Sequence, residues 1–212
     1  MDAQKRGLIA QNGLWMLVAQ AKESAEWFTG AEISDFVIES IYRKLRMQME
    51  NIVLIGMPGS GKSTIGKQLA DTLGKTFVDA DAEIIKKAGI SIPEIFAKSG
   101  EEGFRKLETS VLCELGKKSG LVIATGGGCV TREVNYSLLH QNGHIVWLQR
   151  DLANLATAGR PLSLSGDLTN MFKVRKPMYQ RFADVAVDNN GTLEQTVLQI
   201  LEGRKVYENS GY

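Results

Sequence analysis

Apolar positions recur at helical spacing in two stretches near the front of the chain. Leu14, Leu17, Val18, Ala21, Ala25 and Phe28 share one face of a helix from about Leu14 to Phe28. A Thr29-Gly30 break follows. Phe36, Val37, Ile41 and Leu45 then mark a second amphipathic helix from about Ser34 to Met47. Arg43, Lys44 and Arg46 fall in its last turns, where the helix dipole favours cations. Two helices of this size bury little against each other, so the pattern calls for a further surface.

Beyond Glu50 the period changes. Asn51–Ile55 is a β-branched apolar run without alternation, the pattern of a strand covered on both faces of a parallel sheet. Similar short runs follow at Thr76-Phe77-Val78, Leu121–Ala124, His144–Leu148 and Val185–Val187. Helical stretches intervene, including Ile65–Leu73 and Leu168–Ala183, and Thr192–Tyr207 closes the chain. Strands alternating with helices imply an α/β architecture. Pro177 should end or kink the helix that contains it. His140 and His144 flank the start of the fourth strand and read as surface or edge residues. Leu14–Ala19, the longest apolar run near the N-terminus, is too short to span a bilayer, and no secretory signal is evident.

Composition excludes more than it suggests. With 25 Lys and Arg against 24 Asp and Glu, a net charge of +1 gives no electrostatic reason to expect a nucleic-acid or anionic-membrane partner. Cys113 and Cys129, with His140 and His144 as the only histidines, do not make a disulfide framework or a zinc site. At 43% hydrophobic residues the chain is an ordinary globular one. The informative residue is glycine, whose clusters fall where strands end.

Gly56-Met57-Pro58-Gly59-Ser60-Gly61-Lys62-Ser63-Thr64 follows the first strand and opens into a helix. This is P-loop spacing in its required strand–loop–helix context. Gly59, Ser60, Gly61, Lys62, Ser63 and Thr64 are the candidate nucleotide-binding residues. Their backbone N–H groups and the helix N-terminus suit phosphate oxygens. Lys62 can bridge the β- and γ-phosphates, and the Ser63 hydroxyl can ligate magnesium. No Asn-Lys-x-Asp motif is present to read guanine. The third strand ends in Thr125-Gly126-Gly127-Gly128 and not in an acid, so the missing carboxylate must come from elsewhere.

Asp79 and Asp81 supply it at the end of the second strand, where parallel sheets place ligands. If the chain stays extended both face one side, one toward magnesium through a water and one toward an incoming hydroxyl. Alternatively Asp81 caps the following helix. Glu101, Arg105 and Glu108 can pair along a helix, a pattern that alone reads as a solvated face. Gly126, Gly127 and Gly128 admit a flat ligand close to the backbone, or form a plain flexible turn. Arg160, in Gly159-Arg160-Pro161-Leu162-Ser163, suits a lid that stabilises transferring charge, or sits on an ordinary surface loop. Arg175 and Tyr179 share a helical face.

Taken in order, the P-loop, Asp79-x-Asp81, Phe104-Arg105-x-x-Glu108, Gly126-Gly127-Gly128, Arg160-Pro161-Leu162 and Arg175-x-Pro177-x-Tyr179 all match motifs of the shikimate kinases. Residues 50–212 resemble that family throughout. The resemblance implies a P-loop NTPase of the nucleoside-monophosphate-kinase-like type, a three-layer α/β sandwich with a five-stranded parallel sheet of order 2-3-1-4-5. It implies ATP-dependent phosphorylation of the 3-hydroxyl of shikimate, giving shikimate 3-phosphate and ADP, in aromatic amino acid biosynthesis. It also implies a cytoplasmic monomer whose partners are ATP, magnesium and shikimate, without nucleic acid or membrane. Carried over residue by residue, Lys62, Asp81 and Arg160 are catalytic, and Arg160 also closes over the nucleotide held by the P-loop. Asp81, Arg105, Gly126, Gly127, Gly128 and Arg175 bind shikimate, while Ser63 and Asp79 hold magnesium. One departure stands out: the family usually carries an adenine-side Arg several residues before the lid. Leu152–Ala158 has none, and Arg150 is out of register.

The front of the chain has its own resemblance. Gly13–Ala21 followed by Trp27-Phe28-Thr29-Gly30 is similar to the C-terminal end of shikimate dehydrogenases over residues 7–46, with Gln20 at the place of a substrate-contacting glutamine. This implies a helical extension, 1–48, left from a fusion of consecutive pathway enzymes, ahead of a kinase domain, 49–212. The extension would be dispensable for chemistry and could associate with a dehydrogenase. Rival readings are a related kinase for gluconate or a nucleoside monophosphate, and a non-catalytic nucleotide-binding module. Arg105, Gly126–Gly128 and Arg175 speak against the first, and intact Lys62, Ser63, Asp79 and Asp81 against the second.

Overall fold

The computed structural model describes residues 13–155 and 168–209. The chain divides into two compact units, Met1–Glu50 and Asn51–Tyr212.

In the first unit, α1 (Leu14–Thr29) and α2 (Asp35–Met49) form a helical pair. Gly30 ends α1 with a left-handed φ of 67°, donating its N–H to the Glu26 carbonyl at 2.8 Å. Lys22 pairs with Asp35 at 2.6 Å, and Trp15 meets Tyr42 edge to face at 5.1 Å. The buried apolar residues are Val18 and Ile38. Both helices therefore form where periodicity predicts, but not with the predicted seam. Leu17, Phe28, Phe36, Val37 and Ile41 are exposed, Phe28 by 92%. Two helices meet along one narrow line, and side chains either side of it stay in water.

In the second unit, five strands form one parallel sheet of order β2-β3-β1-β4-β5. The strands are β1 (Asn51–Ile55), β2 (Thr76–Asp79), β3 (Leu121–Ala124), β4 (Gly143–Gln149) and β5 (Val185–Asp188). The central strand β1 is fully buried, as its unbroken apolar run requires. One face is covered by α3 (Lys62–Leu73) and α8 (Leu193–Asn209), through Ile65, Leu69, Val197 and Ile200. The other is covered by α4 (Ala80–Ala88), α5 (Ile92–Gly116), α6 (Val134–His140) and α7 (Leu168–Phe182), through residues such as Ile84, Leu112, Leu139 and Phe182. Among the described residues no helix is long and apolar enough to cross a membrane.

Three local expectations change. Helix α7 runs through Pro177. Pro177 and Lys173, whose carbonyl loses its helical donor, are both exposed, so water can replace the bond. His144 is buried at 2% exposure within β4 and is no edge residue. Its neighbour Asp184 spans the pair, with Oδ1 3.0 Å from His140 Nε2 and Oδ2 3.7 Å from His144 Nδ1. The chain also leaves the extended path at Ala80, and the cap of α4 is Asp79, not Asp81: Asp81 donates its N–H to Asp79 Oδ1 at 3.0 Å.

Candidate active site

The loop between β1 and α3 closes around its own lysine. Gly56 has φ 148°, and a Cβ there would stand 2.7 Å from the Leu148 carbonyl, so only glycine lets β1 turn beside β4. Gly61 caps α3 at φ 88°, a left-handed conformation. Lys62 Nζ donates to the carbonyls of Gly56 and Met57 at 2.9 and 2.8 Å. The Ser60 carbonyl accepts from Asn189 Nδ2 at 2.5 Å, and Asn189 Oδ1 accepts in turn from Thr196 Oγ1 at 2.9 Å. Sequence reasoning missed this brace. Its only local trace is the turn-prone run Asp188-Asn189-Asn190-Gly191 after β5.

At the edge of the cradle, Ser63 Oγ donates to Asp79 Oδ2 at 2.7 Å. The predicted pair of metal-binding residues is therefore in contact. Asp81, in the first turn of α4, lies farther round the strand end, on the side of the glycine turn.

That turn, Gly126–Gly128, is where the remaining predicted residues meet. A Cβ on Gly126 would stand 2.9 Å from both Asp81 Oδ1 and Glu108 Oε1. One on Gly127 would be 2.6 Å from Pro58 Cδ in the phosphate loop, and one on Gly128 would collide with the Arg105 guanidinium. None of the three has positive φ, so glycine is required here for space and not for backbone freedom. Nor is the turn loose. Thr125 Oγ1 donates to the Leu54 carbonyl at 2.9 Å, and Asn135 Nδ2 to the Cys129 carbonyl at 2.8 Å. Tyr179 Oη and Arg175 Nη1 both donate to the Gly127 carbonyl, at 2.5 and 3.3 Å. Tyr179 is fully buried and stacks on Trp147 of β4 with centroids 5.7 Å apart.

Arg105 and Glu108 do not lie on a solvated face. They are 5% and 1% exposed and joined by a 2.8 Å ion pair, with the exposed Glu101 adding a second at 3.2 Å. Burial pushes the Glu108 carboxyl above its usual range; Arg105 pulls it back and neighbouring Asp81 pushes it up further. Burial works against the charge on Arg105, but Glu108 and Glu101 outweigh it, and its pKa is raised. Glu108 Oε1 and Arg105 Nε are buried without hydrogen-bond partners, so the pair retains unspent polar capacity at this pocket. Arg160 lies outside the described residues.

A phosphate cradle on a helix N-terminus, acids at the next strand end and buried arginines beside them define a P-loop kinase for a small molecule. A family model described as "Shikimate kinase" matches residues 58–204. A shikimate kinase of Synechococcus sp. (strain RCC307) is 45% identical over 173 residues, spanning 74% of this chain and 87% of that protein. Among solved structures, a shikimate kinase from Acinetobacter baumannii in complex with shikimate superposes with a TM-score of 0.68 at 35% identity, covering 80% of this chain and 99% of that one. One from Aquifex aeolicus gives 0.66 at 37%, covering 73% of this chain and 96% of that one. The chain belongs to the shikimate kinase family. The family match begins beyond the α1–α2 pair, which it leaves uncovered.

Proposed function

We propose that the protein transfers the γ-phosphate of ATP to the 3-hydroxyl of shikimate, releasing shikimate 3-phosphate and ADP. The observation that carries this reading is the convergence of Asp81, Arg105 and Arg175 on one glycine turn that abuts the phosphate loop. A small carboxylate polyol needs guanidinium groups for its carboxylate and an acid facing its reacting hydroxyl. Arg105 and Arg175 meet the first need. Asp81 orients the hydroxyl and takes its proton as the new O–P bond forms and the bond to the ADP oxygen breaks. Because that transition state is loose, positioning and charge neutralisation outweigh the strength of the base. Lys62 exchanges loop carbonyls for β- and γ-phosphate oxygens. Arg160 takes its lid role from the resemblance alone.

Ser63 and Asp79 suit magnesium, since a hydroxyl and a carboxylate 2.7 Å apart are hard oxygen donors and that ion keeps several waters. Bound there, it would neutralise charge on the phosphate oxygens. The protein is proposed to act as a cytoplasmic monomer. Residues 1–48 are proposed to be the remnant of a dehydrogenase fused to the kinase domain 49–212, able to associate with such a partner but not needed for turnover.

ADP release measured with ATP, magnesium and shikimate tests the activity, with gluconate and a nucleoside monophosphate as competing acceptors. Turnover with shikimate is expected. Turnover only with another acceptor supports the rival kinase, and none with any acceptor supports a non-catalytic module. Removing residues 1–46 should leave kcat within twofold; loss of turnover in a folded remainder refutes dispensability.

A further inference from the structure

Strand β1 is where the crossovers change side. The helix following it, α3, packs with α8 on one face, while those following β2, β3 and β4 pack on the other. Ligands of such sheets lie at the strand ends beside the switch. Two crevices result, one toward β3 and one toward β4. The first holds Asp81, Arg105 and the glycine turn. The second lies between the phosphate loop, whose Gly56 stands beside the Leu148 carbonyl, and the end of β4.

It contains Arg150, the residue directly after β4. Arg150 Nε donates to the Asn154 carbonyl at 2.9 Å across a short 3-10 turn, Leu152–Asn154. The guanidinium then lies over the phosphate loop: Nη1 is 3.8 Å from where a Cβ on Gly61 would stand. That point is also 3.4 Å from Nδ2 of Asn189, the residue that braces Ser60. The turn is tied to the end of β5, with Asp151 donating its N–H to Asn190 Oδ1 at 3.0 Å. Arg150 is half-buried and lines a hollow of about 220 Å³ whose other charged and polar lining residues are Gln149, Asp151, Lys176, Asp188 and Asn190. No carboxylate among the described residues pairs with it, and from Ile145 to Gly159 it is the sole Lys or Arg in the sequence. A cation pinned beside a phosphate cradle, with no described carboxylate paired to it, has the nucleotide as its natural counterion.

We propose that Arg150 is a nucleotide-binding residue, its guanidinium bonding a phosphate oxygen of ATP from the β4 side while Lys62 holds the phosphates from within the loop. The proposal rests on the kinase reading, and ADP binding measured without acceptor keeps its failure separate from failure of the reaction. In Arg150→Ala, affinity for ADP should fall about tenfold, the loss of one charge-assisted hydrogen bond. Affinity for inorganic tripolyphosphate should fall in parallel, and KM for ATP should rise while KM for shikimate and the melting temperature hold. Arg150→Lys, which keeps the charge, should recover most of the loss. Unchanged ADP affinity overturns the proposal. A loss for ADP but not tripolyphosphate overturns it by moving the contact to the base. Parallel losses in shikimate binding and melting temperature overturn it by making Arg150 a structural support of the turn.

Discussion

The crevices on either side of β1 are built by different means. Toward β4, the proposed phosphate site is mainly backbone: loop N–H groups, a helix N-terminus and carbonyls that Lys62 occupies at 2.8 and 2.9 Å. Toward β3, the site is mainly side chain, with Arg105, Glu108, Arg175 and Tyr179 buried and already bonded to one another or to the glycine turn. A backbone cradle suits a phosphate chain, which any nucleotide presents alike. A prebuilt set of buried charges suits a particular small acid, because it loses little side-chain freedom when the acid arrives. The difference separates holding the phosphates from recognising the acceptor, so damage to binding on one side should spare binding on the other.

The largest effect is expected from Lys62→Ala. Losing a cation aimed at developing phosphate charge should lower kcat by about 10³-fold, while calorimetric affinity for shikimate holds. A matching loss of shikimate affinity would mean that the crevices are not independent.

Next comes Arg105→Ala, expected to raise KM for shikimate about 100-fold with ADP affinity unchanged, as removal of one partner from a buried charge pair costs 2–5 kcal/mol or so. It should also destabilise the fold by about 3 kcal/mol at pH 7, since Glu108 is left buried without its cation. The sign with pH follows. Burial already raises the Glu108 pKa, and losing Arg105 raises it further. The folded variant therefore binds a proton that the unfolded chain releases. Its deficit should be least below the ordinary glutamate pKa and grow as pH rises through the folded value. Denaturant melts at pH 5 and pH 8 check this; an equal deficit at both would show that Glu108 stays ionised.

The smallest effect concerns the rigidity of the glycine turn. Cys129, directly after it, is buried, and burial pushes its thiol up to about 12. Native protein at pH 8 should react with a thiol reagent at the half-buried Cys113 alone, and at both cysteines after denaturation. Rapid modification of both in the native state would show that the turn opens readily.

Legibility in the sequence followed how local each feature is. The strand–loop–helix cradle is contiguous, so spacing alone placed Gly56, Gly61, Lys62 and Ser63. Asp79 and Asp81 were found together, but their roles depended on where β2 stops, and the helix beginning at Ala80 made Asp79 the cap. The Arg105–Glu108 pair had the spacing of countless solvated helix faces, and nothing nearby in the chain disclosed its burial. In α1 and α2 the period marked the helices but not the seam, which the facing helix selects.

The order of elements, the parallel sheet and the phosphate cradle were thus written in the chain, because hydrogen-bonding pattern and apolar period act over neighbouring residues. Tertiary structure decided the rest. Asn189 braces Ser60 across 129 residues and Tyr179 reaches Gly127 across 52, contacts that no local window contains. It also decided which charges are buried, Arg105, Glu108 and Arg175 among them. Desolvation depends on everything packed around a group, not on its place in the sequence.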